Sequence, residues 1–317
     1  MMSIKMLILV FVFSYAFSSG IAKAQPGGTL LEQSPYRFPT YQEAVKTTDV
    51  EQETDKSIYE NAVNDARFEF LRLKYASDGL KVVAYLYRPK QIEAHKFPTI
   101  VFNRPSAIRG DIAPELLPLF HRLADEGFVV IAPLLRQSAG GEGRDEIGGA
   151  DLHEVMNVVP LARALGFVDL ENLFMYGFSR GGMMTYLAIK EGFPLRAAAS
   201  VGGPTDMRDV VQTHPQQYPA AMLKQFWPNF ETQEAEIFQS RSAVFWPEKL
   251  NVPLLIMHGG NDRSVNPQQT LVFAQHLQKV SKTYELLIYA EDNHGLTRNR
   301  EDRDRRVIEW FKRHLKK

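Results

Sequence analysis

Gly177-Phe178-Ser179-Arg180-Gly181 is the stretch on which the reading of this chain turns. It follows an apolar run ending at Tyr176. It leads into Gly182-Met183-Met184-Thr185-Tyr186-Leu187-Ala188-Ile189, which reads as a helix. A serine framed by glycines between a strand and a helix marks a turn too tight for larger neighbours. Such a turn lifts the serine Oγ clear of the sheet. The helix N-terminus then faces the place where negative charge would develop. The pattern alone is common, so its weight depends on partners elsewhere in the chain.

Two such partners follow. Val252 to Met257 is a short, fully apolar run, as expected of a buried parallel strand. It ends in His258-Gly259-Gly260-Asn261-Asp262, which puts Asp262 in a loop at the carboxyl end of that strand. Tyr284 to Tyr289 reads as the next strand, and Asn293-His294-Gly295 follows it closely. Loops at the carboxyl ends of parallel strands share one rim, so three of them can converge.

The residue types suit one chemistry. A serine hydroxyl needs a neutral imidazole to take its proton and return it to a leaving group. A carboxylate must hold that imidazole in the right tautomer. Ser179, His294 and Asp262 fill these roles. Asp206, in Gly202-Gly203-Pro204-Thr205-Asp206, is the rival acid. His153, His214 and His258 read as structural, because none follows the last strand.

The remaining composition excludes several classes. The chain has 317 residues, with 44% hydrophobic and 23% charged, as an ordinary globular protein does. Lys+Arg and Asp+Glu both total 37, and no basic stripe points to nucleic acid. No ligand spacing of the H-E-x-x-H kind suggests a metal, and no cofactor is implied. Residues 1–24 read as a secretory signal: Lys5, an apolar stretch from Met6, and Ala22-Lys23-Ala24 as the cleavage site. Its apolar stretch, about twelve residues, falls short of the ~20 that span a bilayer. The expected product is secreted or periplasmic, with no stable membrane anchor. The lack of an N-x-S/T sequon favours a bacterial source. With no cysteine, there is neither a disulfide nor a lipidation site, and stability must come from the core.

The expected layout has three parts: signal 1–24, a polar helical or irregular segment 25–67, and one α/β domain 68–317. Within that domain, Phe68–Tyr75 and Leu80–Tyr87 form an antiparallel hairpin across Ser77-Asp78-Gly79. Strand–helix units follow, with helices at Glu115–Glu126, Asp151–Leu165 and Glu301–Leu315. The sum is a mostly parallel, doubly wound sheet with a helical insert, about 205–246, after the sixth strand.

These motifs together resemble the prolyl oligopeptidase-like (peptidase S9 type) serine hydrolases of the α/β-hydrolase superfamily, over roughly residues 68–315. The chain order Ser, Asp, His matches that superfamily's triad. Arg136 to Arg144, with Gly148-Gly149-Ala150-Asp151, is similar to the family's Arg- and Gly-rich loop. The resemblance implies an acyl-enzyme mechanism on peptides or related amides. A carboxylesterase of small or carbohydrate-linked esters would use the same residues. A catalytically inactive binding protein on this fold is a third reading. Dienelactone hydrolases share the fold but use a cysteine, which this chain lacks.

Two departures stand out. Residues 25–67 cannot form the family's β-propeller, since one blade takes about 40 residues. After the third strand, relatives carry a tyrosine or a His-Gly-Gly-Pro-like segment, where this chain has Asn103-Arg104-Pro105-Ser106. The Arg180 N–H is expected as one oxyanion donor. Pro105 has no N–H. The second donor is therefore the Asn103 side chain, or the backbone of Asn103, Arg104 or Ser106. Arg104 is a candidate for the substrate pocket or a structural ion pair. Trp227, Phe230 and Trp246, in the insert, either line an apolar substrate site or pack the insert onto the sheet. Oligomeric state is not readable.

Overall fold

In the computed structural model, residues 25–49, 54–92, 95–106, 110–216 and 218–317 are described. The stretch read as a signal, 1–24, lies outside them. Among the described residues, nine strands form one sheet: β1 Leu30–Pro35, β2 Phe68–Ser77, β3 Leu80–Pro89, β4 Phe97–Asn103, β5 Val129–Pro133, β6 Val168–Phe178, β7 Ala197–Val201, β8 Leu254–Gly259 and β9 Tyr284–Tyr289. Their order is β1-β2-β3-β5-β4-β6-β7-β8-β9. β1, β2, β3 and β5 pair antiparallel, and β5, β4, β6, β7, β8 and β9 pair parallel. The predicted hairpin is β2–β3, closed by Ser77 opposite Leu80 across Asp78-Gly79, a sequence that two-residue hairpin turns favour.

Strand alternation divides the core. In β4, Val101 points into one apolar cluster, while Ile100 and Phe102 point into the other. Helices Ala113–Asp125 and Arg300–Arg313 cover the second face through Leu117, Phe120, Val307 and Phe311. Helices Leu152–Met156, Val158–Leu165, Arg180–Lys190 and Pro267–Lys279 cover the first. Each fully buried Leu, Val or Phe contributes about 1.5–3 kcal/mol relative to exposure. The chain leaves β4 for β5 on one side and returns to β6 on the other. That reversal opens a crevice beyond the carboxyl ends of β4 and β6.

Three details differ from the sequence expectation. The segment before residue 68 contains a strand, β1, so the antiparallel unit has three strands rather than two. Its sequence, Leu-Leu-Glu-Gln-Ser-Pro, lacks alternation, because β1 is a half-exposed edge. The insert consequently follows the seventh strand. The helix expected over Asp151–Leu165 is two helices. The ring of Pro160 conflicts with a continuing helical carbonyl at Met156, where the first helix ends.

The other described parts of the N-terminal segment are packed. Helix Lys56–Asn64 buries Tyr59 and Ala62. Helix Tyr41–Thr47 starts in a reciprocal cap between Thr40 and Glu43. Tyr36 and Phe38 meet Phe70 at ring distances of 5.3 and 5.0 Å, joining the second core.

Candidate active site

Ser179 stands between β6 and helix Arg180–Lys190 with φ 52 and ψ −122. A serine in that conformation costs about 1–3 kcal/mol. The turn is held by Ser179 N–H donating to Val201 O (2.8 Å) and Gly182 N–H donating to Ser179 O (2.8 Å). Close approach explains the glycine at 181: a Cβ there would lie 1.8 Å from the Asn103 carbonyl oxygen. The helix can therefore press against the end of β4, and ten of its residues are buried.

The structure brings Ser179, His294 and Asp262 into one hydrogen-bonded chain. His294 Nε2 is 2.8 Å from Ser179 Oγ, and His294 Nδ1 is 2.7 Å from Asp262 Oδ2. The carboxylate can only accept, so Nδ1 carries the hydrogen and Nε2 is left to accept from the serine. Asp262 Oδ1 accepts from the Ser264 and Val265 amides at 2.7 and 2.9 Å. Asp206, the rival acid, instead caps helix Met207–Thr213, accepting from the Arg208 and Asp209 amides.

His258, set aside in the sequence reading, touches the same carboxylate. Its Nε2 lies 2.8 Å from Asp262 Oδ2 and 3.1 Å from Val265 O, and its Nδ1 lies 2.6 Å from Thr270 Oγ1. Both partners of Nε2 are acceptors, so that nitrogen bears the hydrogen. Burial would push the Asp262 carboxyl up. The hydrogen bonds from His258 and His294 outweigh burial and hold it well below the usual carboxylate range. The signal available in the sequence was spacing: His258 opens the segment that Asp262 closes, four residues on.

Arg180 turns its side chain away from solvent onto two carboxylates. Its guanidinium meets Asp145 in two bonds of 2.6 Å and Asp151 in one of 2.8 Å. Asp145 also accepts from Ile147 N–H, and Asp151 from Gly148 and Gly149 N–H. The Arg- and Gly-rich loop is thereby tied to the residue after Ser179. Arg136 anchors the loop's start on Glu154 (2.7 Å) and Asp78 (2.8 Å).

A cleft of about 340 Å³ opens over Ser179 and His294. Its walls include Ile147, Phe178, Met183, Met207, Tyr218 and Met222. Of these, Met207, Tyr218 and Met222 come from the insert. The structure departs from four sequence expectations for the pocket and from one for the oxyanion site. Trp227 is buried, donates to Glu146 O, and stacks near Phe230 at a ring distance of 5.9 Å. Trp246 is buried and donates to Gln239 O. These three rings pack the insert onto the first core and do not line the cleft, because their apolar faces are consumed there. Arg104 is also interior: it binds Leu134 O, Pro105 O, Ser106 O and Ser138 Oγ, so it is neither a pocket residue nor half of an ion pair with a directly bound carboxylate. The Asn103 side-chain amide donates to Thr185 Oγ1 (3.0 Å) on the elbow helix, and is not part of the cleft wall.

The model of the prolyl oligopeptidase family matches residues 119–317. The uncharacterized peptidase YtmA of Bacillus subtilis is 28% identical over 241 residues, which cover 75% of this chain and 91% of that protein. YuxL, an uncharacterized peptidase of the same organism, is 24% identical over 88% of this chain but only 43% of its own length. The Pyrococcus horikoshii acylaminoacyl peptidase has this fold, with a TM-score of 0.66 and 21% identity over 83% of this chain and 44% of that one. So does a putative dienelactone hydrolase from Klebsiella pneumoniae, with a TM-score of 0.57 and 21% identity over 77% of this chain and 98% of that one. The chain thus spans nearly all of YtmA but less than half of YuxL and of the Pyrococcus enzyme. With well over half of its residues matched by the family model, this chain belongs to the prolyl oligopeptidase family and is a serine hydrolase.

Proposed function

We propose that this chain hydrolyses peptides or related amides through an acyl-enzyme on Ser179. The single observation behind this reading is the Ser179–His294–Asp262 chain, with contacts of 2.8 and 2.7 Å. Ser179 Oγ attacks the substrate carbonyl carbon while its proton passes to His294 Nε2. Asp262 steadies the imidazolium that results. The carbonyl oxygen takes up negative charge and accepts from the Arg180 N–H, at the first position of its helix. The carbon–nitrogen bond then breaks as the amine takes the proton from His294. Water repeats the sequence on the acyl-serine, giving a carboxylic acid and free Ser179. Family membership supports a peptide as the substrate.

One observation favours a second reading, a carboxylesterase. The cleft wall holds no carboxylate or lysine side chain among the described residues, and Arg180 is committed to Asp145 and Asp151. A peptide terminus would find no charged anchor there, and remote anchoring is what helps to orient a poor leaving group. An ester needs less of it. The two readings separate when kcat/KM is measured for an amide and an ester that share one uncharged apolar acyl group. A peptidase turns over the amide within about tenfold of the ester. An ester advantage of about a thousandfold or more, persisting in longer peptides, would assign the site to esters.

A further inference from the structure

One guanidinium sits behind the loop that faces Ser179. Arg104 is 2% exposed, and all four oxygens it binds belong to neutral groups. Two of them are the consecutive carbonyls of Pro105 (3.1 Å) and Ser106 (2.9 Å). Arg180 Nη1 reaches the same Ser106 carbonyl at 3.5 Å. Burial, with Arg180 close by, brings the Arg104 guanidinium down to about 10 against the opposing pull of the Asp145 and Asp151 carboxylates, so it remains charged at neutral pH. A buried cation bound only to neutral oxygens is costly.

The loop geometry supplies a reason. Peptide groups are planar, and no cis bond occurs among the described residues, so each carbonyl points opposite to the N–H that follows it. Drawing the Pro105 carbonyl inward onto Arg104 turns the Ser106 N–H outward. Pro105 and Ser106 both line the cleft that contains Ser179 and His294, whereas Arg104 does not. Ser106 also has φ 52, a left-handed conformation that serine does not adopt by preference, so surrounding contacts must impose it. The other donors open in the sequence fall away. Asn103 spends its side-chain amide on Thr185, neither Asn103 nor Arg104 is in the wall, and Pro105 has no N–H.

We infer that Arg104 is a positioning residue that aims the Ser106 amide at the substrate oxyanion, so that this N–H acts as the second donor beside that of Arg180. The inference rests on the acyl-enzyme reading of Ser179.

The test removes one hydrogen. Incorporating an α-hydroxy acid at position 106 by nonsense suppression changes the 105–106 amide to an ester and deletes only the N–H. Loss of one oxyanion donor lowers kcat by roughly 10²–10³-fold. KM should stay within about threefold, and affinity for a trifluoromethyl ketone, whose adduct carries the oxyanion, should fall with kcat. Arg104→Met should show the same split between kcat and KM, and Arg104→Lys should recover part of kcat. Wild-type kcat in the backbone-ester protein overturns the inference, as does a change confined to KM. If Arg104→Met fails to fold, the backbone ester still decides. End-point labelling of Ser179 by a fluorophosphonate keeps the two readings apart. Absence of labelling in the wild type defeats the acyl-enzyme reading, whereas full labelling of the ester variant with unchanged kcat defeats only the role of Ser106.

Discussion

Four hydrogen bonds converge on the carboxylate of Asp262: two from imidazoles at Oδ2 and two from backbone amides at Oδ1. They leave it no freedom to rotate, and that in turn fixes the plane of His294. The linkage has a definite sign. In the unfolded chain an aspartate titrates near about 3.9. In the fold it is held lower, so its ionisation stabilises the protein in full above about pH 4, and that contribution is lost as pH falls further. His258→Phe removes one donor and raises the carboxyl toward its ordinary value. The variant should lose about 1–3 kcal/mol at neutral pH, from the missing bond and the stranded Thr270 and Val265 partners. Its stability should also fall less steeply between pH 5 and 3. Urea unfolding across that range checks both, and an unchanged acid slope would mean that His258 does not act on Asp262. Gly202 sets a limit on the other side of the ring, since a Cβ there would lie 3.0 Å from His294 Nδ1. The meeting of Ser179, Asp262 and His294 was readable because each follows a strand end. For His258 the spacing to Asp262 was the sole signal, and its position inside β8 does not show that its ring turns toward the loop.

At the scale of elements, the site depends on loops made rigid by buried side chains. Asp292, 1% exposed, accepts from the amides of Asn293, Arg298 and Asn299 and from the Asn299 side chain. Arg303 holds the Gly295 carbonyl at 2.7 Å. His294 is thus clamped from both flanks. Asp292→Ala should cost about 1–3 kcal/mol of stability and lower kcat by about 10–100-fold, because small displacements of a base are expensive. KM should move less. If kcat stays within twofold while the melting temperature falls, the loop keeps His294 in place without Asp292. The strands with continuous apolar runs, β4 to β8, were legible, as was the β2–β3 hairpin through Asp78-Gly79. β1 was hidden by its edge position. The aromatic rings of the insert misled, because composition does not say which face a ring presents. Trp227 and Trp246 face the core, and the unremarked Met207, Tyr218 and Met222 face the cleft.

At the scale of the molecule, one parallel sheet delivers the site. β6, β8 and β9 end on a common rim, and the reversal of strand order around β4 opens the crevice into which their loops project. Two apolar cores pack its faces. The proposed role of Ser179, as the nucleophile of an acyl-enzyme, depends on all of these parts. The most direct measurement is the intact mass of the protein after reaction with a fluorophosphonate, followed by peptide mapping. One adduct per chain is expected, on the peptide containing Ser179. Ser179→Ala should fold with wild-type stability and take up none, and His294→Ala should react far more slowly than wild type. Stoichiometric labelling of Ser179→Ala, or an adduct mapped to another residue, would contradict the claim.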